Sequence, residues 1–439
     1  MPAQLALGLL TFALGGTFAP ALLPFDEPRA LNYMLILLAA ALLAIARLLR
    51  RPRARAARCG GAGWLLLSFH LYVLLITIKQ AGEEGIIIKA VVFCCVCGCA
   101  WQVARLLEPD ELLATLFWSL CLVVGASTAL AIARPDIAVM PFVRGDAWTG
   151  LYGQKNAFGR QAALLGLVSL FMLLRHGGGR LLPHLALIVA VVGLLASLSR
   201  TSQVLFLAGG CAVLILNVLR RQAWGVLLVG LLGGLALLEA RLIWAPAVFG
   251  ISPEGMVVAD YLVDLTGRLP IWQFGWWLFM QQPVWGAGFD AIWNYGGGSA
   301  IYHALGWRVT DSHNGYLDVL VQSGLVGAAL YGGALVLASA RALRITLSGQ
   351  PKTVEQALIA VFLPLHWLIN ITSSQVMEIL SLWNFLCLVL CFASDWHRHA
   401  HRQESHAHAT VQHRDPLPQP ARPVVARHSV GRVPELSRS

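Results

Sequence analysis

Residues 111–133 read ELLATLFWSLCLVVGASTALAIA, with one carboxylate at the first position and no charge after it. A helix needs about 20 apolar residues to cross the hydrocarbon core, so this block is long enough to span it. Apolar and polar residues do not alternate, which argues against a strand of a membrane β-barrel. The pattern recurs along the whole chain. Of 439 residues 57% are hydrophobic and 12% charged, and the mean hydropathy is +0.68, whereas a soluble domain carries about 25% charged residues. A soluble enzyme, a secreted disulfide scaffold and a disordered chain are excluded. The sequence specifies an all-α polytopic membrane protein.

Twelve spans are expected, near residues 3–23, 31–49, 64–80, 86–106, 111–133, 158–174, 182–198, 202–219, 222–240, 317–341, 356–373 and 377–394. No Lys or Arg precedes Arg29, so residues 3–23 lack the basic flank of a cleaved signal peptide and read as the first span. The net charge of +10 is distributed by side. With the N-terminus inside, 21 of the 32 basic residues fall in inside segments, from the Arg47–Arg58 cluster to the tail, and 11 fall outside. Positive charge favours the cytoplasmic side, so both termini are expected there. The basic balance therefore reads as membrane orientation, with membrane lipids as surroundings and no nucleic-acid partner. Cysteines such as Cys94, Cys95, Cys97, Cys99 and Cys121 sit inside apolar blocks, where they read as small fillers between helices.

Residues 1–395 form the expected transmembrane domain. Residues 396–439, with seven His and seven Arg, read as a disordered basic tail. Residues 241–316 are a single long outside loop, a length that usually signals function. It contains an aromatic stretch, Trp272, Phe274, Trp276, Trp277 and Phe279, expected as a helix lying on the bilayer surface.

Outside cations at span ends are the informative residues, because charge near membrane depth is costly and is commonly kept for function. Lys155 and Arg160 flank the start of the sixth span. Arg200 ends the seventh, in Ser197-Leu198-Ser199-Arg200-Thr201-Ser202, and Arg268 lies in the loop. Their convergence suggests a site for an anion such as a diphosphate, whose oxygens suit the guanidinium fork. Arg29, Lys79, Arg134 and Arg144 read as surface residues. His313, in Asp311-Ser312-His313-Asn314-Gly315-Tyr316-Leu317, stands where the loop enters the tenth span. Asp311 or Ser312 would cap that helix. Its N-terminal dipole would hold the imidazole neutral, as a general base requires.

These residues carry a resemblance. Gly267-Arg268 to Trp272, then Pro283-Val284-Trp285-Gly286-Ala287-Gly288, then His313-Asn314-Gly315-Tyr316-Leu317, then Gly324-Leu325-Val326-Gly327, follow the order G-R-x-x-x-W, P-x-x-G-x-G, H-N-x-Y-L and G-L-x-G. The chain thereby resembles the O-antigen ligase and polymerase superfamily. Gln154-Lys155-Asn156 is similar to its H-K-N element, with Gln154 in place of His, so position 154 carries no catalytic weight.

The resemblance implies a GT-C-like fold in a Gram-negative inner membrane and a glycosyl transfer on the periplasmic face. A glycan on undecaprenyl pyrophosphate would pass to a lipid A–core hydroxyl. Polymerases of the superfamily use a lipid-linked repeat as acceptor instead, and protein O-oligosaccharyltransferases use Ser or Thr. A lipid-linked glycan transporter is a separate reading, but transporters place their charges near the bilayer midplane. The ligase is favoured because a single late outside loop holds both the G-R-x-x-x-W and H-N-x-Y-L elements.

The departing pyrophosphate needs cationic stabilisation, from a metal or from fixed charges. No Asp-x-Asp occurs in the chain, and the close pair Glu108 and Asp110 falls on the cytoplasmic side. The expectation is metal-independent transfer without a cofactor. Arg200 and Arg268 would hold the diphosphate, Lys155 and Arg160 would assist, and His313 would take the acceptor proton. Asp318 either belongs to the surroundings of the site or is only a polar residue on the tenth span.

Overall fold

The computed structural model describes residues 1–22, 29–49, 60–80, 84–141, 145–176, 180–218, 256–258, 261–263, 268–290, 293, 309–347 and 354–394. The helices are α1 Pro2–Ala13, α2 Ala30–Leu49, α3 Gly61–Gln80, α4 Glu84–Leu106, α5 Pro109–Ala133, α6 Pro135–Ala138, α7 Lys155–His176, α8 Leu181–Ala196, α9 Arg200–Val218, α10 Arg268–Gln281, α11 Gly315–Leu347, α12 Val354–Thr372 and α13 Leu382–Ser394. Two short antiparallel hairpins accompany them: β1 Val139–Met140 with β2 Ala147–Trp148, and β3 Met256–Val258 with β4 Tyr261–Val263.

Six of these helices, α2, α3, α4, α5, α7 and α11, are long and apolar enough to cross a membrane. Helices stand at every expected span except 222–240, which lies outside the described residues. So do the tail and much of the loop at 241–316. Large apolar side chains face outward on the long helices, with Leu122 69% exposed and Leu71, Leu75 and Ile88 more than half exposed. Water would penalise such a surface, but lipid tails match it, and each helix satisfies its own backbone.

Three span boundaries differ from expectation by five residues or more, one of them the end of α11 at Leu347, not at residue 341. The first helix ends at Ala13, not near residue 23. Gly16 adopts a φ of 145° there, and the following chain pairs with the 147–153 segment through Ala19 N–H to Leu151 O at 2.9 Å and Gly153 N–H to Thr17 O at 3.0 Å. Asn32 of α2 donates to Ala13 O at 2.7 Å and to Gly16 O at 3.0 Å. Leu382 N–H reaches Leu14 O at 2.8 Å. The last helix starts at Leu382, not at residue 377, because Asn370 Oδ1 accepts the amides of Gln375 and Val376 and turns the chain before it. At the opposite end of α5, Glu108 and Glu111 form a capping box, with Glu108 N–H to Glu111 Oε2 at 3.0 Å.

The helix expected over the aromatic stretch is α10, and one side of it packs into the bundle. α10 buries Leu269, Ile271, Trp272 and Phe279. A Cβ on Gly275 would come within 2.8 Å of Leu317, so α10 and α11 are in close contact there. Trp277, at 55% exposed, keeps the outward orientation.

After α10 the chain docks on α11 through two glycine motifs. α11 is interrupted at Gly324, where φ is 62° and ψ −167°. Leu325 and Val326 N–H, cut off from the helix ladder by this break, donate to Pro283 O at 2.8 Å and Val284 O at 3.3 Å. In return, Ala287 and Gly288 N–H donate to Val321 O at 3.0 Å and Gln322 O at 2.9 Å. A Cβ on Gly286 would lie 2.5 Å from Gly324 N, and a Cβ on Gly324 would lie 2.3 Å from Val284 O. Gly286 of P-x-x-G-x-G and Gly324 of G-L-x-G are thus two halves of one backbone joint. Phe289 N–H to Thr77 Oγ1 at 2.8 Å and the Lys89–Asp290 ion pair at 2.5 Å continue the docking onto α3 and α4.

Candidate functional site

The loop before α11 sets the site. Asn314 is the N-cap: its Oδ1 accepts the amides of Tyr316 at 3.0 Å and Leu317 at 3.1 Å, and its Nδ2 donates to Ile371 O at 3.1 Å. Asp311 and Ser312, the expected caps, serve the loop instead. Asp311 Oδ1 accepts His313 N–H at 2.8 Å, and Ser312 Oγ accepts Asn314 N–H at 3.1 Å. Ser312 is held from two further directions. Asp318, buried in the first turn of α11, accepts its amide at 3.1 Å. The Ser374 hydroxyl donates to the other Asp318 oxygen, and Trp272 Nε1 donates to Ser312 O at 2.8 Å. Asp318 therefore belongs to the surroundings of the site, as an anchor of this loop.

His313 sits between these fixed points with φ 53°. The left-handed region costs a non-glycine residue about 1 kcal/mol and persists only where the neighbours over-determine it. Its Nδ1 lies 3.0 Å from Asp311 Oδ1, with the side chains 25% and 23% exposed respectively. The Asp311 charge raises the His313 pKa above the ordinary histidine value, against burial and the Arg268 charge, which lower it. The adjacent carboxylate therefore favours the protonated imidazole, a direction opposite to the neutral form expected from the helix terminus. Burial alone would raise the Asp311 pKa, but the charge and hydrogen bonds of His313 hold it below the usual carboxylate range.

His313, Asp311, Arg268 and Arg160 line one cavity with about 510 Å3 of empty space, its open mouth included. Arg268 opens α10 one turn before Trp272, so the helix face tied to Ser312 is also the face that presents the guanidinium. Arg160 lies in the second turn of α7. α7 lies close to the α8–α9 turn, because a Cβ on Gly159 would be 2.7 Å from Ser199 Cβ. Asn156, Thr201 and Ser202 come from the first turns of α7 and α9 and also line the cavity. Helix N-termini expose free amides and partial positive charge, so the arrangement favours an anion.

Other expected site residues lie beside the cavity. Arg200 is exposed, and its neighbours Ser199 and Thr201 contribute to the lining where it does not. Lys155 Nζ reaches Leu198 O at 3.5 Å in the α8–α9 turn and does not line the cavity. Gln154 does line it. Arg144 lies outside the described residues, Lys79 is exposed, and Arg134 is exposed and paired with Asp136 at 2.7 Å.

Two residues escaped the sequence reading. Glu378 lines the cavity, and burial raises its pKa while the charges of Arg29 and Arg160 lower it. Arg29, expected at the surface, is half-buried and lies within electrostatic reach of Glu378. A carboxylate in a stretch read as a span was the available signal. Among the described residues, no group of three or more His, Cys, Asp or Glu side chains is placed to hold a metal ion.

Residues 185–332 match a family model described as O-antigen ligase. The match holds α9, α10 and the first part of α11, and with them Arg200, Arg268, Asp311 and His313. The matched segment contains the motifs from Gly267 to Gly327 and leaves out Gln154-Lys155-Asn156, so the resemblance to the O-antigen ligase superfamily, a group of glycosyltransferase-like enzymes, is shown on that segment. No curated protein matches the chain.

Proposed function

We propose, from the O-antigen ligase match and the chemistry of the cavity, that this chain is an O-antigen ligase. It moves a glycan from undecaprenyl pyrophosphate to a lipid A–core hydroxyl, on the periplasmic face of a Gram-negative inner membrane and within a GT-C-like bundle. The observation that carries the reading is the placement of an Asp–His pair and two guanidinium groups around one cavity.

In this reading the acceptor hydroxyl approaches Nε2 of His313. Its oxygen attacks the anomeric carbon in line, the carbon–oxygen bond to the pyrophosphate breaks, and the anomeric configuration inverts. His313 takes the hydroxyl proton. Asp311, on Nδ1, fixes the tautomer that leaves Nε2 free and stabilises the imidazolium. Arg268 and Arg160 meet the charge that builds on the leaving diphosphate, together with the helix N-termini. Arg200 and Lys155, on the rim, engage the diphosphate as it enters.

Reconstitution tests the reading. The purified protein is supplied with undecaprenyl-pyrophosphate glycan and lipid A–core, with and without EDTA, and the products are resolved on a gel. A glycan ladder on lipid A–core that survives EDTA is expected. A strict requirement for Mg²⁺ would refute the fixed-cation account. Longer lipid-linked chains or glycosylated protein, in place of the ladder, would move the function to a polymerase or a protein transferase.

A further inference from the structure

The cavity lining is of two chemical kinds. Arg160 and Arg268 stand on α7 and α10, whereas Thr372, Ser373 and Glu378 come from the end of α12 and the loop that follows it. Residues 372–378 contain no Lys, Arg or His. Glu378 Oε1 accepts Leu380 N–H at 3.3 Å, which ties the carboxyl to its own turn while it lines the cavity.

A carboxylate here works against a bound diphosphate, because like charges at short range repel. The charges of Arg29 and Arg160 offset part of that cost. Its presence is accounted for if the ligand offers it something other than phosphate. Sugar hydroxyls do so: a carboxylate accepts hydrogen bonds from neighbouring hydroxyls, and such charge-assisted bonds are stronger than neutral ones. Thr372 and Ser373 add hydroxyls that can donate or accept. The Ser374 proton is already committed to Asp318. The donor's first sugar is bonded directly to the diphosphate, so a diphosphate held by the arginines brings that sugar within reach of the rest of the same lining.

We propose that Glu378, with Thr372 and Ser373, forms the subsite that recognises hydroxyls of the donor's first sugar, an assignment that rests on the transferase reading above. The full-length protein in detergent is titrated with two probes, undecaprenyl pyrophosphate and undecaprenyl pyrophosphate bearing a saccharide, without acceptor. Glu378→Gln is expected to weaken the sugar-bearing probe roughly tenfold, from the loss of charge assistance, and to leave the sugar-free probe unchanged or tighter. Thr372→Ala, which keeps the carboxylate, is expected to weaken only the sugar-bearing probe, by a smaller factor, and decides the matter if Glu378→Gln does not fold. Equal weakening of both probes would overturn the subsite, making Glu378 a support for Arg160. Unchanged binding of both would overturn it as well. A wild-type protein that binds neither probe would remove the transferase reading itself and the subsite with it.

Discussion

The loop at 311–318 and the joint at 283–288 with Gly324 are both built from the motifs that carry the family resemblance, yet they use their residues in opposite ways. In the loop every named side chain is bonded: Asn314 caps α11, Asp318 and Trp272 hold Ser312, and Asp311 holds His313. At the joint the absence of a side chain matters, because Gly286 and Gly324 bring backbone against backbone. Conservative replacement of a loop residue should therefore cost chemistry before stability. Any replacement at the joint should cost stability first.

The largest effect is expected at the joint. Gly324→Ala places a Cβ 2.3 Å from Val284 O at a residue with φ 62°. Strain and overpacking together cost roughly 3 kcal/mol, and the yield of monodisperse protein after size exclusion should collapse. A normal yield would show that the joint can relax and would erase the contrast.

Next comes Arg268→Ala. Folded protein should be obtained at normal yield, but transfer should fall by about 10²- to 10³-fold, as for loss of one preorganised group that stabilises transition-state charge. Arg200→Ala and Lys155→Ala, beside the cavity, should lose less. If Arg200→Ala proves the more damaging change, Arg200 belongs at the diphosphate and the ranking drawn from the cavity lining is wrong.

A subtler test lies in the pH profile. The base must be deprotonated, so activity rises as pH passes the His313 pKa. The Asp311 charge raises that pKa, which puts the acid limb of kcat/KM above the reference histidine value of about 6.5. Asp311→Asn should move the limb to lower pH while reducing the maximal rate. An unmoved limb would detach Asp311 from the base.

How far the sequence reaches can be judged from particular residues. The long spans were legible because lipid selects on hydropathy alone, and α5 begins within two residues of its expected start. His313 and Arg160 were marked by their place at the start of apolar blocks and Arg268 by its motif, and all three line one cavity. Three features depend on which way a loop or helix turns, and periodicity does not encode that. The cap went to Asn314 because its oxygen reaches two amides of the first turn. α10 turned Trp272 and Phe279 inward, where Trp272 finds a carbonyl. Glu378 was hidden by a span drawn five residues too early, since the α12–α13 turn is made by Asn370 from within the preceding helix.

The most direct measurement is a single-turnover assay of purified His313→Ala, with donor binding followed on the same sample. The account predicts that the variant binds the lipid-linked donor as the wild type does and forms product at least 10²-fold more slowly, within the range for loss of a general base. Product formed at the wild-type rate would contradict it, and the Asp311–His313 pair would then be part of the loop's framework and not its chemistry.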